Sequence, residues 1–76
     1  MSEHEQIGEI IKTFKRARRE KGISQATLSD QLGINVHTLY RWENDRALPS
    51  FAMFLRWCRK LELDLTVQPN RRLEMP

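Results

Sequence analysis

Cysteine occurs once in this 76-residue chain, at Cys58, and histidine only twice, at His4 and His37. A lone cysteine excludes an internal disulfide, and two distant histidines with no CxxC pair leave zinc without a ligand set. No run of about 18 apolar residues is present, so no membrane span is expected. The opening MSEHEQIGE is polar and acidic, unlike a secretory signal, and points to a cytoplasmic protein. Also missing are a Ser/His/Asp or Cys/His set, paired catalytic carboxylates and a phosphate-cradling glycine loop. Neither enzyme activity nor a metal or other cofactor is therefore expected. So short a chain buries a modest core and commonly needs a metal, disulfides or a second subunit. With the first two set aside, oligomerisation is the remaining supplement.

What is present is mostly helical in pattern. Ile7, Ile10, Ile11, Phe14 and Ala17 fall on one stripe of a helix running to Lys21, while Lys12, Lys15, Arg16 and Arg19 largely fall elsewhere. Gly22 stops that helix. Ser24 suits the N-cap of a second helix, Gln25 to Leu32, with Leu28 and Leu32 inward. Gly33 permits the positive φ of a tight turn, and Ile34 fits the corner. Asn35 caps a third helix, roughly Val36 to Asp45, and Ser50 caps a fourth, Phe51 to Leu61. Leu63, Leu65 and Val67 then alternate with Asp64, Thr66 and Gln68, a strand pattern closed by Pro69. The expected division is a flexible N-terminus over 1–5, a helical domain over 6–62, a strand over 63–69 and a flexible tail over 70–76.

Two short helices joined through a glycine turn make a helix-turn-helix candidate over residues 24–45. In that motif the second helix enters the DNA major groove. At about 100° per residue, Val36, Tyr40, Asn44, His37 and Arg41 follow one another within about 140° of the third helix. Leu39 and Trp42 occupy the opposite arc and suit the core. Arg41 can offer two parallel donors to guanine, His37 can donate or accept at a base edge, and Val36 and Tyr40 offer apolar surface to a thymine methyl. Asn35 and Asn44 suit phosphate oxygens or an adenine edge, and Gln25 suits a phosphate beside the positive end of the second helix. Taken singly, each of these is ordinarily a solvated surface residue, and Tyr40 could equally be packed. Together on one helix face they favour a reading surface.

Two charges sit in apolar places. Glu43 lies beside the arc of Leu39 and Trp42, and Arg18 lies on the stripe of Ile7, Ile11 and Phe14. A charge facing a core is costly unless paired and hydrogen-bonded, so an Arg18–Glu43 ion pair between the first and third helices is expected. The alternative is that both long side chains reach past the core to solvent.

The stretch SQATLSDQLGINVHTLYRWENDRALP resembles the helix-turn-helix of phage-repressor and Cro-like regulators, the Xre family. Gln25, Leu28, Gly33, Ile34, Leu39, Trp42, Glu43 and Pro49 meet the pattern. The resemblance implies a mainly all-α fold, a four-to-five-helix lambda-repressor-like domain, with base reading near Val36, His37 and Arg41. It implies a phosphate or base contact at Gln25 and backbone contacts near Asn35, Thr38, Asn44, Arg46 and Ser50. It also implies an Arg–Glu pair at Arg18 and Glu43. Asp45 stands where the family commonly has Gly, so the turn after the third helix is expected to differ. Tyr40 is bulkier than the residue usual at its place.

LELDLTVQP resembles the C-terminal strand of HipB-type antitoxins, which pairs with its copy in a second subunit. A lone strand leaves N–H and C=O groups unpaired, and a two-fold partner supplies them. Phe54, Trp57 and Leu61 lie on an apolar arc of the fourth helix wider than a small core needs, and with Leu63, Leu65 and Val67 form the expected dimer interface. Otherwise the strand folds back on its own helix and Trp57 covers the core.

The function expected is a homodimeric, sequence-specific DNA-binding regulator, a repressor on a palindromic operator, and the HipB resemblance implies the antitoxin of a HipBA-like pair. Double-stranded DNA and a second copy are the expected partners, with a toxin protein as a third. The competing reading is a module that acts mainly by binding a partner protein. The net charge of +3 suits nucleic acid without arguing for it.

Overall fold

A computed structural model describes residues 2–69 as four helices around one core. They are α1 (Glu3–Glu20), α2 (Gln25–Leu32), α3 (Val36–Glu43) and α4 (Phe51–Lys60). Each begins at a side chain able to accept an otherwise orphaned backbone N–H. Ser2 accepts from Glu5, Ser24 from Thr27, Asn35 from His37 and Ser50 from Met53.

Every helix also ends alike, with paired backbone bonds closing over a left-handed residue. Ile23 N–H reaches Arg18 C=O, Ile34 reaches Ser29, Arg46 reaches Arg41 and Leu63 reaches Cys58. The left-handed positions are Gly22, Gly33, Asp45 and Glu62, with φ of 69°, 71°, 57° and 59°. Glycine takes that conformation freely, whereas Asp tolerates it and Glu is strained there.

The core is Ile11, Phe14, Leu28, Leu32, Leu39, Trp42, Trp57, Cys58 and Leu61. Trp57 lies at its centre: its ring stands edge-on to Phe14 at 4.8 Å and tilted against Trp42 at 5.6 Å. Phe14 in turn meets Phe54 at 5.1 Å, so aromatic contacts join α4 to both α1 and α3. Trp57 Nε1 has no hydrogen-bond partner among the described residues.

The boundaries differ from the sequence expectation in instructive ways. Helix α1 begins at Glu3, so the N-terminus expected to be flexible is helical from there, because Ser2 caps it. The expected ends at Lys21, Asp45 and Leu61 retreat to Glu20, Glu43 and Lys60, where the closing turns begin. Among the described residues there is no strand, so the one expected over 63–69 is not formed within a single chain. Leu63 is tied back instead: its carbonyl accepts the Cys58 thiol at 3.2 Å. Strand pairing needs a second edge, and a lone chain supplies none. The expected tail over 70–76 lies outside the described residues, as does Met1. No described helix is long and apolar enough to cross a membrane.

Candidate nucleic-acid interface

The site is built by dividing α3 into two faces. Leu39, Trp42 and Glu43 are buried, which turns Val36, His37, Tyr40 and Arg41 outward, all exposed. Tyr40 is 46% accessible and therefore projects rather than packs. Val36 stands at the helix start, where Asn35 Oδ1 accepts the His37 N–H at 2.8 Å and fixes the entry of the chain.

Behind this face lies a polar knot. Arg18 Nε donates to Glu43 Oε2 at 2.7 Å and a second guanidinium nitrogen donates to Oε1 at 3.1 Å. A third donates to the Ile23 carbonyl at 2.8 Å. Gln25 Nε2 donates to Glu43 Oε1 at 2.9 Å. The buried carboxylate thus ties α1 and α2 to α3, and the guanidinium adds the turn before α2. Its forked guanidinium contact is the strong, geometrically specific kind. The Arg18–Glu43 pair expected from the helix angles is formed; the Gln25 bond was not anticipated, although Gln25 and Glu43 stood in one family pattern.

The expected phosphate contacts fall into two groups. Arg46 is exposed in the loop after α3, and Asn35, Asn44 and Ser50 are exposed at helix ends. Asn44 already donates to the Tyr40 carbonyl at 2.8 Å, and the Ser50 hydroxyl oxygen already accepts from Met53. Asn35 retains its amide donors and Ser50 its hydroxyl proton, which is what an acceptor-only phosphate oxygen requires. Thr38 is half-buried, and Gln25 is half-buried with one amide proton committed to Glu43. Its second proton remains for an outside acceptor.

Asp45 does not alter the turn after α3 as its departure from Gly suggested. It takes the left-handed conformation itself, and its carboxylate lies 3.0 Å from His4 Nε2 on α1.

The expected dimer residues separate more sharply. Trp57 and Leu61 have no accessible surface and are consumed by the chain's own core, so neither is available to a second subunit. The Trp57 and Leu61 side of the α4 arc is taken up by contacts within the chain, to Phe14 of α1 and Trp42 of α3 among them. Phe54 and Leu63 are half-buried, packed against the core, whereas Leu65 and Val67 are exposed. Absent from the expected dimer residues are Leu48, 52% accessible, and Phe51, 70% accessible. With Leu65 they border an open apolar groove floored by Ile7, Ile10 and Phe54. Phe51 lies on the same apolar arc of α4, about 60° from Phe54, and that helix angle is the signal that finds it.

Cys58 carries no chemistry here. Burial pushes its thiol up from the ordinary value, Asp64 adds to that, and Arg59 opposes it. Among the described residues no group of His, Cys, Asp or Glu is placed to hold a metal.

Four helices with a glycine-cornered α2–α3 pair, presenting α3 outward on a rigid polar knot, define a helix-turn-helix protein. The family described as a helix-turn-helix domain matches residues 11–67, and this chain belongs to it. DNA is the partner that such a domain supports. The match identifies no antitoxin branch of the family. No curated protein and no solved structure matches the chain.

Proposed function

We propose that this protein is a sequence-specific DNA-binding regulator, a repressor that binds a palindromic operator as a homodimer. The observation that carries the reading is the outward presentation of Val36, His37, Tyr40 and Arg41 on one face of α3 while its other face is buried. Arg41 reads guanine through paired donors, His37 a neighbouring base edge, and Val36 with Tyr40 a thymine methyl. Asn35, Asn44, Arg46 and Ser50, with the free amide proton of Gln25, hold the phosphates on either side. Thr38 is the weakest of the proposed backbone contacts, because it is half-buried.

Dimerisation is supported by the exposed apolar set Leu48, Phe51, Leu65 and Val67, of a kind that marks interaction surfaces. Residues 63–69 of two copies then pair as antiparallel edges, with Phe54 and Leu63 beneath them. The same groove favours a second reading, in which the protein is an antitoxin or interaction module that takes an apolar segment of a partner protein.

Selection of bound duplexes from a random pool at about physiological salt tests the proposal. An inverted repeat with half-sites about 34 Å apart is the expected product of a two-fold dimer. Arg41→Ala then weakens binding by about 1–3 kcal/mol and relaxes preference at one base pair. A folded protein that enriches no sequence overturns the repressor reading and leaves the partner-protein reading standing.

A further inference from the structure

Helix α1 carries more cationic charge than its packing uses. Lys12, Lys15, Arg16 and Arg19 line one shallow surface of that helix, with Lys15 half-buried and Glu20 the one carboxylate beside them. Lys12 lies 3.5 Å from Glu9 on the same exposed face, an ion pair of little strength. Among the described residues, Lys15, Arg16 and Arg19 have no carboxylate within ion-pair distance.

The direction in which this stripe faces follows from the contacts of α1. Arg18 meets Glu43 at the last turn of α3 and Gln25 shares that carboxylate at the start of α2. Nearer the N-terminus, His4 contacts Asp45, whose carboxylate also lies over Gly8. The flank of α1 between the lines of Arg18 and Gly8 therefore borders the helix-turn-helix. At about 100° per residue, Lys15 falls between those two lines, Arg19 about 20° beyond Gly8, Lys12 about 40° beyond and Arg16 about 80° beyond. Lys12 in fact shares a cleft with Asp45, His4 and Gly8. The stripe begins beside the end of α3 with Lys15 and Arg19 and turns outward from it through Lys12 to Arg16.

We infer that Lys12, Lys15, Arg16 and Arg19 form an auxiliary phosphate track that engages the DNA backbone beside the bases read by α3. This rests on the DNA-binding reading above. From Lys12 to Arg19 the helix rises about 10.5 Å. One DNA strand carries a phosphate about every 3.4 Å along the axis, so the stripe spans about three phosphates. Such contacts carry no sequence information, and they raise affinity for operator and unrelated duplex alike. The sequence-independent part of binding thus resides on a helix outside the recognition motif.

The test compares two triple variants of the full chain: Lys12→Gln with Arg16→Gln and Arg19→Gln, and Arg56→Gln with Arg59→Gln and Lys60→Gln. The second removes the same charge from an exposed surface of α4. Affinity is measured against salt on the selected duplex and on one of unrelated sequence, with circular dichroism to verify folding. The α1 variant is expected to lose about 0.9 in the slope of log affinity against log salt for each contact removed, nearly 3 per subunit, on both duplexes. Its affinity at about physiological salt falls by about tenfold or more, with the base preferences retained. The α4 variant is expected to change the slope by less than a third as much. An α1 variant that binds like the wild type, or an equal loss in both variants, overturns the track while leaving specific reading intact. A wild-type protein that binds neither duplex overturns both.

Discussion

Two buried knots hold this molecule together, one polar and one aromatic, and they solve the same problem differently. At the first, the Glu43 carboxylate receives three donors from Arg18 and Gln25, and Arg18 also donates to the Ile23 carbonyl. At the second, Trp57 lies among Phe14, Trp42 and Phe54 with its own N–H unanswered. The polar knot is directional: it fixes how α1, α2 and α3 sit relative to one another, hence how α3 is presented. The aromatic knot is tolerant of angle and fastens α4 by area and shape. Precision lies under the outward face of α3, and bulk cohesion lies away from it.

The largest effect is expected from breaking the polar knot on one side only. Glu43→Ala leaves Arg18 buried without its counter-charge and should destabilise the fold by about 3–5 kcal/mol, read from urea melts. A loss below about 0.5 kcal/mol would mean that the pair behaves as an ordinary surface contact.

Trp57→Phe tests the aromatic side. It opens some space but removes a buried donor that lacks a partner, whose burial itself costs about 1–3 kcal/mol. The net loss should stay under about 2 kcal/mol, less than for emptying the site. A loss above about 3 kcal/mol would indicate that the indole N–H is satisfied after all.

Replacing both charges sharpens the contrast. Arg18→Met with Glu43→Leu should recover most of the single-mutant loss, coming within about 1–2 kcal/mol of the wild type, because no lone charge remains. DNA binding should recover less than stability does, since Gln25 and α3 lose their directional tie. Equal recovery of both would make the knot a filler of space and nothing more.

The two regions differ again at their helix ends. Asp45 closes α3 in the left-handed region beside His4, whereas Glu62 closes α4 at φ 59° with only a 3.5 Å contact to Lys21 at the surface. Glu62→Gly should therefore raise stability by about 0.5–1 kcal/mol. Asp45→Gly should raise it less, because the His4 contact is lost; thermal melts of the two variants rank them.

The smallest effect concerns Cys58. Burial raises its folded thiol pKa above the ordinary thiol value, so the folded chain holds the proton more tightly than the unfolded chain. Its contribution to stability is complete below the unfolded value and declines as pH rises past it toward the folded one. The wild-type melting temperature should fall slightly more steeply than that of Cys58→Ala over that interval. Parallel curves would refute the shift.

Much of this was written in the chain itself. Ser24 and Gly33 bound α2 because a cap acceptor and a left-handed corner are local requirements that the backbone imposes wherever it turns. Helical periodicity put Arg18 and Glu43 on apolar arcs, and the expense of an unpaired buried charge made their partnership legible before any packing was known. The outward face of α3 was legible for the same reason: position along a helix fixes direction.

What periodicity cannot state is which surface meets an apolar arc. Periodicity leaves Trp57 open to either a second subunit or the core and offers Leu61 to the subunit, and the chain's own core takes both entirely, because other helices pack against that side of α4. Residues 63–69 carry a strand's alternation but form no strand, since pairing belongs to two edges and not to one sequence. Gln25 joined the polar knot only when the packing of α2 against α3 brought its amide to Glu43. Local chemistry thus determined the helices, their caps and the direction of each charge. Tertiary structure alone decided which apolar residues fill the core and which, like Phe51 and Leu48, remain on the surface.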